Sequence, residues 1–218
     1  MARPRAEDYA EKQQRIRDCA AELFAMRGFE ATSTADIAAE GGFSKALIYH
    51  YFSSKEEILQ DLLEVHMDAL LSAAEASLRV AGSPDEKDGA RRRLRAFVRA
   101  HMRLYATARA RHLLLINELG ALPPKGKQAI VAKQRRLVNM AADLFTELAP
   151  ALRRQAGLRF PTAMSFYGMI NWTCIWYRPD GDLSPDAFAD LACDLFLGGL
   201  TGSFASSRPP RIAAARSG

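Results

Sequence analysis

Between Thr34 and Lys55 the chain gathers hydroxyls, ammonium groups and polar-tipped rings in one short run, STADIAAEGGFSKALIYHYFSSKEEIL. The side chains that face outward there are Thr34, Ser44, Lys45, Tyr49, His50 and Lys55. No nucleophile, base and orienting group stand at a recognisable spacing, and no glycine-rich phosphate loop is present, so covalent or phosphoryl-transfer chemistry is not indicated. Hydroxyls and a lysine at helix starts instead suit phosphate oxygens, and rings with hydrogen-bonding tips suit thymine methyls or phosphates.

These groups need elements to position them. Ser33 with Asp36 three residues on is a capping-box start for a short helix, Gly41 and Gly42 end it, and Ser44 caps the next. Two short helices joined by a glycine turn make a helix-turn-helix, whose second helix enters the major groove. With Thr34 as its first position, Ile37 and Ala38 pack inward, Gly42 takes the positive φ of the turn, and Ile48 and Tyr51 face back. Ser44 and Ser54 also serve as caps; Tyr49 and His50 read as surface rings, with core packing as the alternative. Upstream, residues 9–26 form a helix with Ile16, Ala20, Leu23 and Phe24 on one stripe and Gly28 as its stop. Downstream, Ser54 with Glu57 opens a long helix through Ile58, Leu62, Val65 and Leu70 to about Val80.

Helical periodicity continues to the end and nothing alternates as a strand would, so the expected fold class is all-α with about nine helices. Residues 81–89 read as a linker, followed by an arginine-rich helix at 90–106, an apolar one at 109–119, a break at ALPPKG and a long helix at 127–149. Pro161 suits the first turn of a helix running to about Tyr177, and Ser184 with Pro185 opens a last one to about Gly199. The expected domains are 1–55, a helix-turn-helix head with the helix at 54–80 connecting, then 56–204, a ligand-binding and dimerisation body, then a disordered tail at 205–218. Residues 1–55 carry eight Lys and Arg against eight Asp and Glu, whereas residues 81–160 carry seventeen against six. The positive excess therefore lies outside the head, which predicts modest nonspecific affinity for DNA and a shallow salt dependence. Three widely spaced cysteines read as buried hydrophobes of a reducing cytoplasm, the four histidines as scattered, and no apolar run reaches a membrane-spanning length. No metal, cofactor or membrane partner is expected.

The joint pattern of GF, DIA, G, SK, YHYF and SKEE resembles the DNA-binding domain of the TetR family of bacterial transcriptional repressors over residues 9–60. The resemblance implies an all-helical homodimer that binds a palindromic DNA operator and releases it when a small effector enters the C-terminal domain. Carried over by position, the DNA contacts fall on Thr34, Ser44, Lys45, Ala46, Tyr49, His50 and Lys55. Ala46 replaces a frequent glycine and Ala35 a frequent charged residue, so the operator sequence does not carry over.

In the body, MINWTCIWYRPDGDLSPDAFADLACDLFLGGL is similar to the C-terminus of a TetR subgroup that senses coenzyme A thioesters. The candidate effector contacts are Arg99, Arg103, Asn117, Arg135, Asn139, Asn171, Trp172 and Trp176. Arginines suit a pyrophosphate bidentately, while the alternative for such a run is a solvated face. For each aromatic the alternative is core or dimer packing. Phe188, Leu191, Ala192, Leu195, Phe196 and Leu200 leave the last helix little polar face, which predicts a homodimer through the last two helices. The competing reading is an enzyme or binding protein for acyl thioesters with no DNA role.

Overall fold

The structure, a computed structural model, describes residues 3–205. Beyond Ala205 the expected tail lies outside the described residues. The head comprises α1 (Arg3–Arg27), α2 (Thr34–Gly41) and α3 (Lys45–Tyr51). Ile16, Ala20, Leu23 and Phe24 of α1 close on Ile37, Ala38 and Ile48, all buried. The start of α2 is a reciprocal box: Asp36 N donates to Ser33 Oγ at 3.2 Å and Ser33 N donates to the Asp36 carboxylate at 2.8 Å. The doubled glycine has two separate causes. Gly42 holds φ at 66°, and a Cβ on Gly41 would stand 2.0 Å from the Phe43 ring.

The body begins with α4 (Lys55–Val80), whose buried stripe touches α1 at one end and body helices along its length. Glu57 N donates to Ser54 Oγ at 3.2 Å, but the Glu57 carboxylate accepts from Ser53 N at 2.6 Å rather than from Ser54, so the expected box closes one residue earlier. Then follow α5 (Gly89–Thr107), α6 (Arg109–Asn117), α7 (Pro124–Leu148), α8 (Ala156–Asn171), the single turn α9 (Thr173–Trp176) and α10 (Pro185–Ala205). With α9 counted as the end of α8 there are nine helices among the described residues, and no strand. Two boundaries differ from expectation. A 3₁₀ segment at Pro150–Arg154, pinned by the buried Leu152, leads straight into α8, so Pro161 sits inside that helix and removes one donor from its ladder. The last helix continues past Gly198 and Gly199 to Ala205, because neither glycine adopts a positive φ there.

Candidate DNA interface and effector cavity

The α2–α3 unit presents an exposed band of Ser44, Lys45, Ala46, Tyr49 and His50, with Thr34 half-buried at the start of α2. Thr34 Oγ1 and Tyr49 Oη lie 3.2 Å apart, linking the two helices across their outer face. Behind them, Tyr51 is half-buried against Tyr9 of α1, ring centroids 4.4 Å apart, and His50 stands edge-on to Tyr51 at 5.2 Å. The long first helix thus buttresses the reading surface. Lys55 is placed differently from the rest. Its ammonium donates to the carbonyls of Phe29, Glu30 and Thr32 at 3.0, 3.3 and 3.4 Å and sits 4.4 Å over the Phe29 ring. It ties the α1–α2 connection to α4, so its charge is engaged within the head.

In the body, α4, α5, α6, α7 and α8 enclose a cavity of about 280 Å³. Most of its wall is apolar, from Met67 and Leu70 on α4 to Phe160 and Met164 on α8. One side is a polar network the sequence reading missed. Tyr105 stacks on His112 at 3.6 Å and donates to Asn171 Oδ1 at 2.8 Å. His112 Nδ1 meets His66 Nε2 at 3.3 Å. His101 Nδ1 donates to the Phe97 carbonyl at 2.9 Å, which leaves its Nε2 an acceptor facing Tyr167 Oη at 3.4 Å. Three of the four histidines, read from the sequence as scattered, therefore gather beside one cavity. A signal was present: His66 continues the stripe Ile58, Leu62, Leu70 at helical spacing, a polar residue where the core requires burial. Burial depresses the basicity of these rings, bringing His66 and His101 to about 4 and His112 to about 3. The same burial pushes the Tyr105 and Tyr167 phenols up, so this wall is uncharged at neutral pH.

Of the residues proposed for an effector, Arg135 and Asn171 line this cavity and six do not. Arg99 donates twice to Asp190, at 3.0 and 2.5 Å, and Arg103 twice to Asp186, at 2.7 and 2.5 Å. With Arg95 on Asp194 they form an antiparallel ladder between α5 and α10. The forks expected to hold a ligand's phosphates thus face carboxylates of α10, outside the cavity. Asn117 and Asn139 are exposed on the outer surface. The helix breaks after Asn171, which turns Trp172 and Trp176 outward, 64% and 49% exposed, with Trp176 edge-on to Phe188 at 5.4 Å. Among the described residues no three His, Cys, Asp or Glu side chains converge to hold a metal ion, and no helix is long and apolar enough to cross a membrane.

The helix α6 touches both regions. His112 faces the cavity, and its neighbour Arg111 pairs with Asp18 on α1 across a groove of about 690 Å³. A second tie, Arg17 to Asp61 at 2.7 Å, joins α1 to α4. Head and body are thus linked by ion pairs on either side of α1.

Known proteins share both halves. The family model described as bacterial regulatory proteins, tetR family, matches residues 16–62, and the tetracyclin repressor-like C-terminal domain matches residues 87–200. A TetR-family transcriptional regulator from Bordetella parapertussis 12822 is 38% identical with a TM-score of 0.79, covering 85% of this chain and 93% of that one. The HTH-type transcriptional repressor KstR2 of Mycolicibacterium smegmatis is 27% identical over 201 residues, covering 89% of this chain and 93% of that protein. AibR, solved in complex with isovaleryl coenzyme A and operator DNA, is 27% identical with a TM-score of 0.67, covering 88% of this chain and 97% of that one. Since the likeness runs through the DNA-reading head and on to residue 200 of the body, the chain belongs to the TetR family of bacterial transcription regulators.

Proposed function

We propose that the protein is a homodimeric repressor that binds a palindromic operator and is released by an amphipathic effector, an acyl or aryl coenzyme A thioester. The observation that carries this reading is α6, where adjacent residues reach the two sites, His112 at the cavity and Arg111 on Asp18 of the head. Two recognition helices must stand about 34 to 36 Å apart to enter successive major grooves. A ligand that favours another position of α6 drags α1 with it and shifts the population away from that spacing. A full switch from 1:99 to 99:1 takes about 5.5 kcal/mol of differential binding. The DNA contacts in this scheme are Thr34, Ser44, Lys45, Ala46, Tyr49 and His50, with Lys55 holding the head in shape.

The cavity volume of about 280 Å³ accommodates an acyl or aryl group, so a coenzyme A nucleotide would lie outside its mouth. AibR, with isovaleryl coenzyme A and operator DNA in one structure, is a relative in which such an effector and DNA occur together. Trp172, Ile175, Leu191 and Leu195 leave a half-exposed apolar face near the end of the chain, and pairing it with a twofold mate would give a four-helix bundle.

The test is fluorescence anisotropy of the protein on its operator, titrated with free acids and with their coenzyme A thioesters, beside thermal shifts. A thioester at 100 times its dissociation constant is expected to stabilise the fold by about 2.7 kcal/mol and to release DNA. Arg111→Ala is expected to weaken release more than effector binding. A protein that binds no duplex sequence overturns the regulator reading, and release by free acids alone overturns the thioester.

A further inference from the structure

We infer that the effector's apolar body carries an uncharged oxygen, a carbonyl or hydroxyl, that seats on His112 Nε2 and the Asn171 carboxamide while its anionic end stays at Arg135. This rests on the reading of the cavity as the effector site. His112 is 2% exposed, yet its Nε2 has no well-aligned hydrogen-bond partner among the described residues. A buried polar atom left unpaired is destabilising, and such atoms are rare enough to need a reason. The rest of the ring is occupied, Nδ1 by His66 and one face by Tyr105. Asn171 is near enough to oppose the depressed basicity of His112, but it forms no well-aligned bond to Nε2. Its Oδ1 already accepts from Tyr105, and its amide nitrogen donates no hydrogen bond among the described residues. Both residues line the cavity, and with Asn171 the side chain beside the buried Nε2, a swing of its carboxamide would bring both polar groups to an oxygen arriving with the ligand on an otherwise apolar wall.

The charge of each ligand end follows from the groups around it. The wall that holds Tyr105, His112 and Asn171, with His66 on the far side of His112, is neutral, so a carboxylate there would be desolvated without a counter-charge. On α7, Lys133 and Arg136 pair with Asp68 and Glu75 of α4 at 2.7 and 2.5 Å. Arg135, between them, lines the cavity, is exposed, and has no ion-pair partner among the described residues. It is the cation available to an anion at the mouth. The oxygen type depends on the proton between the two histidines. If His66 Nε2 donates to His112 Nδ1, then His112 Nε2 carries a proton and serves a carbonyl or a hydroxyl. If the proton sits on His112 Nδ1, Nε2 accepts and only a hydroxyl serves it.

Calorimetric titration of the full-length protein with octanoyl, decanoyl and dodecanoyl coenzyme A, against their terminal-hydroxy and penultimate-keto analogues, tests this. The best oxygenated probe is expected to bind about tenfold more tightly than its parent thioester, the size of one net hydrogen bond. His112→Phe and Asn171→Leu should each bring that ratio to about one, and Arg135→Gln should weaken both series while preserving it. Each ratio is taken within one variant, so a general loss of stability cannot imitate the result. The ¹⁵N resonance of His112 Nε2 should move with an oxygenated probe and stay with its parent. Equal binding of parents and analogues, or a ratio that survives both wall substitutions, overturns the inference and leaves the effector site standing, with the Asn171 carboxamide serving the nitrogen. If neither series binds, the effector-site reading fails and this inference with it.

Discussion

Lys55 and Tyr49 belong to one motif but answer to different forces. The ammonium of Lys55 satisfies three carbonyls of the α1–α2 connection, so Lys55→Met is expected to destabilise the head by about 1 to 2 kcal/mol. Tyr49 is 49% exposed, so Tyr49→Phe should change stability by under about 0.5 kcal/mol while weakening operator binding about tenfold. Chemical denaturation and anisotropy on the same variants separate the two roles. The buried histidines set a pH dependence. Their ordinary value is 6.5, and in the folded chain they lie at about 4, 4 and 3. Between 6.5 and about 4 the unfolded chain binds protons that the folded chain does not, so stability is full above 6.5 and falls as pH is lowered through that window. Each ring adds up to about 1.4 kcal/mol per pH unit, and the loss levels off below about 4 for His66 and His101 and below about 3 for His112, as the folded rings protonate. Denaturation between pH 7 and pH 4 checks this, with His112→Phe giving a shallower slope. Motif residues such as Ser33, Gly42 and Ser44 were legible because their roles are local, set by caps and φ. The His112 site was not, because its partners His66, Tyr105 and Asn171 come from three other helices.

At the scale of elements, the ladder between α5 and α10 gives the arginine face a structural role. Arg95, Arg99 and Arg103 recur every fourth residue, and so do Asp186, Asp190 and Asp194, so antiparallel packing aligns all three pairs at once. The side chains are 29% to 65% exposed, which limits each pair to about 0.2 to 1 kcal/mol. Asp190→Asn is expected to lower the melting temperature by a few degrees, less so in high salt, and to leave effector affinity unchanged. A large loss of effector affinity in that variant would return the arginines to the binding site. The spacing of each triplet was visible in the chain, whereas their pairing depended on which helices become neighbours.

The whole molecule adds symmetry. Leu195 is 64% exposed on the helix expected to form the dimer, and Leu191 and Ile175 are about half exposed. Leu195→Glu places charges close together across a twofold axis and is expected to give a monomer by sedimentation, with operator affinity lost although each head still folds. A dimer that persists moves the interface elsewhere. What the sequence determined by itself is the reading head and the all-α class, because caps, glycine turns and the apolar stripe act within a few residues of one another. What only the tertiary structure decided is the cavity of the body, the pairing of the arginines with α10 and the reach of α6 from His112 to Asp18. Each of these joins residues tens of positions apart, and helical periodicity says which face a residue occupies but not which helix will cover it.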